Sequence, residues 1–195
     1  MEEIKRRQLA IDQILQGVRT TSYPYTNVEF VALQFRKIFE LVILATLASN
    51  SHLFEGLVRK LSKEWEIPKI IKIVKKKNPN FYPKPVDRVP SSVPGVTDEW
   101  KDVESNFLAL AELVEAHGRI GRFMHANNPY REEAELAELE KCFPSWRERL
   151  IKLLNHHLVH FPDDQTVLYV GMQSAETGAV HTALFGKIEE RGAKA

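Results

Sequence analysis

The stretch from Val28 to Ala48 is apolar nearly all round, and a helix of that composition has no face suited to water. It must lie at the centre of whatever this chain folds into, with other elements packed around it. Its polar exceptions are ordered. At about 100° per residue, Glu29, Arg36 and Glu40 fall within about 20° of one line along the helix. Charges on a buried helix must be paired or must face a wet cleft. Either Arg36 and Glu40 form an internal pair tied to another helix, or the line is the polar wall of an active site or interface.

Helical periodicity continues on both sides of this segment. Ile4, Ile11, Ile14, Leu15 and Val18 recur at helical spacing, which predicts a helix over 2–17. Thr26 followed by Glu29 has the form of a capping box and predicts that the central helix runs over 27–48. A third helix is expected over 51–65, from Leu53, Phe54, Leu57, Val58, Leu61 and Trp65. Pro68 suits the first turn of a short fourth helix over 68–76, whose basic face carries Lys69, Lys72 and Lys76. Such a face is either solvated, complementing the helix dipole, or a contact for RNA phosphates.

Five prolines, Pro79, Pro83, Pro85, Pro90 and Pro94, exclude helix from the next segment. Residues 78–96 read as an extended strap anchored by Phe81 and Tyr82. Beyond it, Trp100, Val103, Phe107, Leu110, Val114, His117, Gly121 and Met124 keep alternating steps of three and four. That seam predicts one helix over 97–125, capped by Thr97 or Asp98, with a break at Gly118 as the competing reading. Asn127-Asn128-Pro129 stops it and opens an acidic helix over 129–142. Ser145 with Glu148 resembles another capping box and predicts a helix over 145–160. From Thr166 the period changes to two, which predicts a β-hairpin over 166–188. The expected fold is therefore mainly α, a compact helical bundle with a C-terminal antiparallel β-hairpin, in a single domain spanning 1–195.

Composition narrows the function classes. The net charge is +1 across 195 residues, so no global field draws the chain to nucleic acid or membrane. One cysteine, Cys142, excludes an internal disulfide framework and fits a reducing compartment. The longest apolar run, Leu41–Ala48, is far short of the roughly 20 residues that span a bilayer. With a charged N-terminus and no apolar signal core, the expectation is a cytoplasmic protein with no membrane partner. There is no phosphate-binding glycine loop, no G-x-S-x-G elbow, no H-E-x-x-H and no cysteine cluster. His156 and His160 could share a helix face, but no neighbouring carboxylate completes a metal site. Neither a metal nor another cofactor is expected.

The segment that gathers chemistry is Gly118-Arg-Ile-Gly-Arg-Phe-Met-His-Ala-Asn-Asn-Pro129. Arginine binds phosphate oxygens in a bidentate way, and histidine moves protons near neutral pH. These groups suffice for RNA cleavage without a metal. A base takes the 2′-hydroxyl proton and the cations stabilise the pentacoordinate phosphorane. His125 is the candidate acid or base, and Arg119 or Arg122 the phosphate-binding cation. Arg36, Glu40, Asn127 and Asn128 are supporting polar residues, and Lys69, Lys72 and Lys76 candidate RNA contacts. Asn127 and Asn128 also serve simply as caps.

Arg119-x5-His125 resembles the R-x(4–6)-H signature of the HEPN superfamily of helical domains. Arg36-Lys-Ile-Phe-Glu40, on a preceding apolar helix, is similar to a polar position that many of those domains carry. The resemblance implies a HEPN-like helical homodimer in which two motifs meet at the interface. Gly118 and Gly121 would permit close helix approach there. It further implies action on RNA, as a metal-independent endoribonuclease of a toxin–antitoxin or phage-defence system with an antitoxin or other protein partner. The alternative is a non-catalytic interaction module, such as a toxin neutraliser or a subunit of a larger assembly.

Overall fold

The computed structural model describes residues 1–57, 63–64, 66–125, 134–163 and 165–186. The helices are α1 (Glu2–Leu15), α2 (Pro24–Ser49), α3 (Ile67–Lys77), α4 (Leu110–Phe123), α5 (Ala134–Glu140) and α6 (Phe143–Leu154). The strands are β1 (Lys84–Pro90), β2 (Asp98–Asp102), β3 (His156–His160), β4 (Thr166–Gly171) and β5 (His181–Gly186). They form one five-stranded sheet in the order β2-β1-β3-β4-β5, with every neighbouring pair antiparallel. The fold is thus α+β, and the expectation of a mainly helical bundle closed by a lone hairpin is overturned.

Three segments account for the difference. The proline-rich strap contains β1, because proline excludes helix but not extended backbone. Pro85 and Pro90 sit at the two ends of the strand, where a missing N–H costs least. Residues 98–102, expected to begin a long helix, form β2, in which Trp100 lies opposite Arg88. The helix begins only at Leu110, where the Glu112 side chain accepts the Ala109 N–H at 3.0 Å. The apolar seam thus spans a strand, a connection and a helix that merely share its spacing. The third departure is His156–His160, expected as the last turn of a helix. Here α6 stops at Leu154 and β3 follows, pairing along its whole length with β4. His156, Leu158 and His160 face one side of the sheet and His157 and Val159 the other, so pairing with β4 overrides the local helical period.

Smaller departures concern helix ends. Tyr23, not Thr26, precedes the first residue of α2, and Thr26 Oγ1 accepts the Tyr23 N–H at 3.3 Å. The start of α6 is Phe143, with Pro144 in its first turn, so Ser145 lies inside the helix. Within the expected third helix, Ser51–Leu57 is a 3-10 segment with a kink at Phe54, and 58–62 and 65 lie outside the described residues. Of the expected 129–142 helix, 129–133 lie outside them too. No helix among the described residues is long and apolar enough to cross a membrane.

The core forms around α2. Val31, Ala32, Phe35, Ile38, Phe39, Val42 and Ile43 are fully buried, against Ile4 and Ile11 of α1, Ile70 and Val74 of α3, Leu113 and Ile120 of α4, and Phe143, Leu150 and Leu153 of α6. Phe35 stacks on Phe143 with ring centroids 5.5 Å apart and meets Trp146 edge-on at 5.7 Å. Two buried asparagines join this layer to the sheet. Asn78, just after α3, donates to Asn50 at the end of α2 (2.9 Å) and to the His160 carbonyl (2.7 Å). Asn50 in turn donates to the Thr46 carbonyl.

Among the described residues His157 is the most deeply buried titratable group, at 0% exposure. Its Nδ1–H donates to the Leu154 carbonyl at 2.8 Å, while Nε2 is buried with no partner. Burial outweighs that hydrogen bond and lowers the imidazole pKa from 6.5 to about 4. A depressed histidine pKa means the unfolded chain takes up the proton first. The associated stability is complete above about pH 6.5 and is lost as pH falls toward 4. The loss should reach about 3 kcal/mol. Urea denaturation at pH 7 and pH 4.5 should show it in the wild type, with a smaller pH dependence in His157→Phe. Equal dependence in both proteins would locate the acid sensitivity elsewhere.

Candidate functional site

The charged line on α2 is real, and it faces α4. Glu40 is its hub. Its carboxylate accepts from Arg36 Nε at 3.2 Å, Lys37 Nζ at 3.0 Å and His117 Nε2 at 3.4 Å. The Arg36, Glu40 and His117 side chains are 28%, 22% and 17% exposed, so the cluster is half-buried at a helix–helix seam. Glu29, one further along the same line, is also half-buried. Burial alone would raise the Glu40 carboxyl, but the hydrogen bonds from Lys37, His117 and Arg36 outweigh it and hold it below its ordinary range. For His117 burial wins, and it lies below the ordinary histidine value despite the carboxylate and with help from the Arg36 charge. The result is a neutral imidazole beside an ionised carboxylate. In the tautomer that gives Nε2–H to Glu40, Nδ1 is the acceptor nitrogen of the ring.

Gly121 makes room for this arrangement. A methyl group at its α-carbon would stand 3.1 Å from the Arg36 guanidinium. Close approach does occur at this glycine, therefore, but to a side chain of the same chain.

The expected site residues are only partly gathered here. Arg36 and Glu40 are in the cluster. Arg122 is exposed near the end of α4, its guanidinium turned back along the helix toward Gly118. On the wheel of α4 it lies about 140° from His117 and about 100° from Gly121, on the Gly118 face. Arg119 is turned further away, half-buried, and donates to Cys142 Sγ at 3.1 Å. Glu138 on α5 is held below its ordinary range by the Lys141 hydrogen bond and charge, with a smaller contribution from the Arg119 charge. His125 is exposed just beyond Met124, the residue that caps α4. Asn127 and Asn128 lie outside the described residues. Lys69, Lys72 and Lys76 are exposed on α3, with Lys69 held by Glu66 at 2.5 Å. Among the described residues no hydrogen bond or ion pair joins these lysines to α4. Nor does any group of three or more His, Cys, Asp or Glu side chains there converge as a metal site.

Sequence reasoning missed His117. It occupies a step of the apolar seam and was counted as part of it. The available signal was the Glu40 line on α2, which required a polar partner, and the glycine one turn after His117. Comparison with family models, curated proteins and solved structures finds no match to this chain.

The electrostatics can be checked without knowing any substrate. Glu40→Gln removes the carboxylate that opposes the effect of burial on His117. The imidazole pKa should then fall further, read from ring-proton NMR titration, while the protein loses about 1–2 kcal/mol from three weakened hydrogen bonds. A rise in the His117 pKa would show that the carboxylate is not its governing partner. Gly121→Ala should displace Arg36 yet change stability by less than about 1 kcal/mol, because alanine favours helix and a guanidinium can shift.

Proposed function

We propose that this protein acts on RNA as a metal-independent endoribonuclease, in keeping with its HEPN-like R-x5-H segment, and that the α2–α4 cluster is its chemical centre. The observation that carries this reading is the neutral His117 imidazole oriented by Glu40, with the Arg36 guanidinium over Gly121. An oriented base next to fixed cations is what transfer at a phosphodiester requires.

In this reading His117 Nδ1 takes the 2′-hydroxyl proton, and the 2′-oxygen attacks phosphorus. Arg36 stabilises the charge that develops on the phosphorane oxygens, and Arg122, on the adjoining face of α4, binds a neighbouring phosphate. His125, at the solvent-open end of α4, donates a proton to the departing 5′-oxygen. The products are a 2′,3′-cyclic phosphate and a 5′-hydroxyl end. Of the R-x5-H segment, then, His125 acts on the substrate, while Arg119 is held by Cys142 Sγ and makes no contact with the reacting phosphate. A homodimer with α4 near the twofold, restrained by an antitoxin or similar protein partner, completes the proposal.

The test is cleavage of a mixed RNA pool by purified protein in the presence of a chelator. His117→Ala and His125→Ala should each lower the rate about 100-fold or more with RNA binding retained. Arg36→Ala and Arg122→Ala should weaken binding and flatten its salt dependence. Because His117 titrates low, the acid limb of the pH–rate profile should fall below about pH 6.5. Cleavage that persists in His117→Ala would remove it as the base. Protein that neither cuts nor binds RNA at low salt would point to the non-catalytic interaction module. A monomer by light scattering at tens of micromolar would remove the dimer.

A further inference from the structure

A second group of chemically capable side chains lies on the sheet, separate from the α2–α4 cluster and independent of the reading given to it. Strand register places Arg88, Trp100, His156, Tyr169 and His181 on one face. The Trp100 ring stacks on Tyr169, 5.2 Å away and within 6° of parallel. Yet β2 and β4 are separated by two strands in the sheet order, so the β1–β2 hairpin must curl over this face. Tyr169 Oη and His156 Nδ1 are hydrogen-bonded at 2.8 Å. His156 and His181 both lie opposite Gly171, one from each side. A side chain at Gly171 would overlap the His181 ring, so the glycine is what admits that imidazole. Both imidazole centroids are within 6.0 Å of the Tyr169 ring.

Part of this cluster is simply packing. Val86, Leu158 and Tyr169 are buried together beneath Trp100. The Tyr169 hydrogen bond and stacking seat His156, but nothing in the packing accounts for His181 Nδ1, which is buried without a hydrogen-bond partner among the described residues. A buried polar atom left unpaired is costly, and a bound ligand is one way to satisfy it. The charged neighbours are Arg88, paired with Asp98, and Asp87. Arg88 and the ring nitrogens of the two histidines set hydrogen-bonding groups beside an aromatic platform, and burial holds His156 below its ordinary value, as a neutral imidazole. Trp100 is only half-buried, with one face on Tyr169 and Phe185 meeting it at 87°.

We propose that this face binds a small planar aromatic anion, whose ring stacks on Trp100 and whose oxyanion is held by His156 and His181. A nucleotide and an aryl carboxylate share that chemistry. The experiment titrates the full chain with adenosine monophosphate, indole-3-carboxylate and inorganic phosphate in turn. Tryptophan fluorescence and the ring-proton NMR signals of the two histidines are the readouts. One of the two aromatic anions should quench the fluorescence and shift both imidazoles, binding at least about tenfold tighter than phosphate. The stronger of the two identifies the source. Trp100→Phe and His181→Gln, each checked for native circular dichroism, should weaken that ligand about tenfold. His156→Gln serves if His181→Gln does not fold. The proposal is overturned if neither aromatic anion moves the imidazole signals, if phosphate binds as tightly, or if the folded variants bind like wild type.

Discussion

A 26-residue helix with almost no polar face is the constraint on which the rest of this structure depends. Leaving any long side of α2 in water would expose side chains such as Phe35 and Phe39, each worth about 2–3 kcal/mol of burial. So α1, α3, α4 and α6 gather around it, and the chain has few ways to connect them. The sheet cannot reach α2 directly over most of its length. It is carried on the far side of α6, which contacts β1 and β3. The Asn50–Asn78–His160 hydrogen bonds fix where the two layers meet. Asparagines can be buried there because each donates to a defined oxygen.

The charged line of α2 is also where its seam with α4 gathers titratable groups. Glu40 collects three donors from two helices, and the sequence position that lets the helices meet there is a glycine. Arg36 belongs both to the structural account and to the chemical one. It neutralises a half-buried carboxylate, and it remains a fixed cation beside an imidazole. Such dual use is physically economical, since the desolvation that lowers His117 also prevents Arg36 and Glu40 from dispersing into water.

Much of the helical layer was legible in the sequence because its signals were strong and local. The all-round apolar character of α2 and the Glu29–Arg36–Glu40 line needed only the 3.6-residue period. The sheet was not legible, for three separate reasons. Prolines in β1 hid a strand inside an apparent strap. Trp100 and Phe107 fell by chance on the α4 seam. His156–His160 fits a helix turn and a strand equally well over five residues, and pairing with β4 decides between them. Of the candidate site, Arg36 and Glu40 could be read because they interrupt a pattern. His117 could not, because it continues one. Where Arg119 and Arg122 point depends on Cys142 and Gly118, which no spacing argument weighs.

The two ends of the sheet differ in a way that governs how it meets other polypeptides. At one end β2 carries Asp98, Glu99, Lys101 and Asp102, so four of its five residues are charged. Charge on an outer strand discourages an extra strand from joining, and the short length of β2 adds to the effect. At the other end β5 displays Leu184 and Phe185, 66% and 44% exposed. The two outer strands are therefore unlike: β2 is built to discourage continuation of the sheet, whereas β5, His181–Gly186, carries no such run of charge.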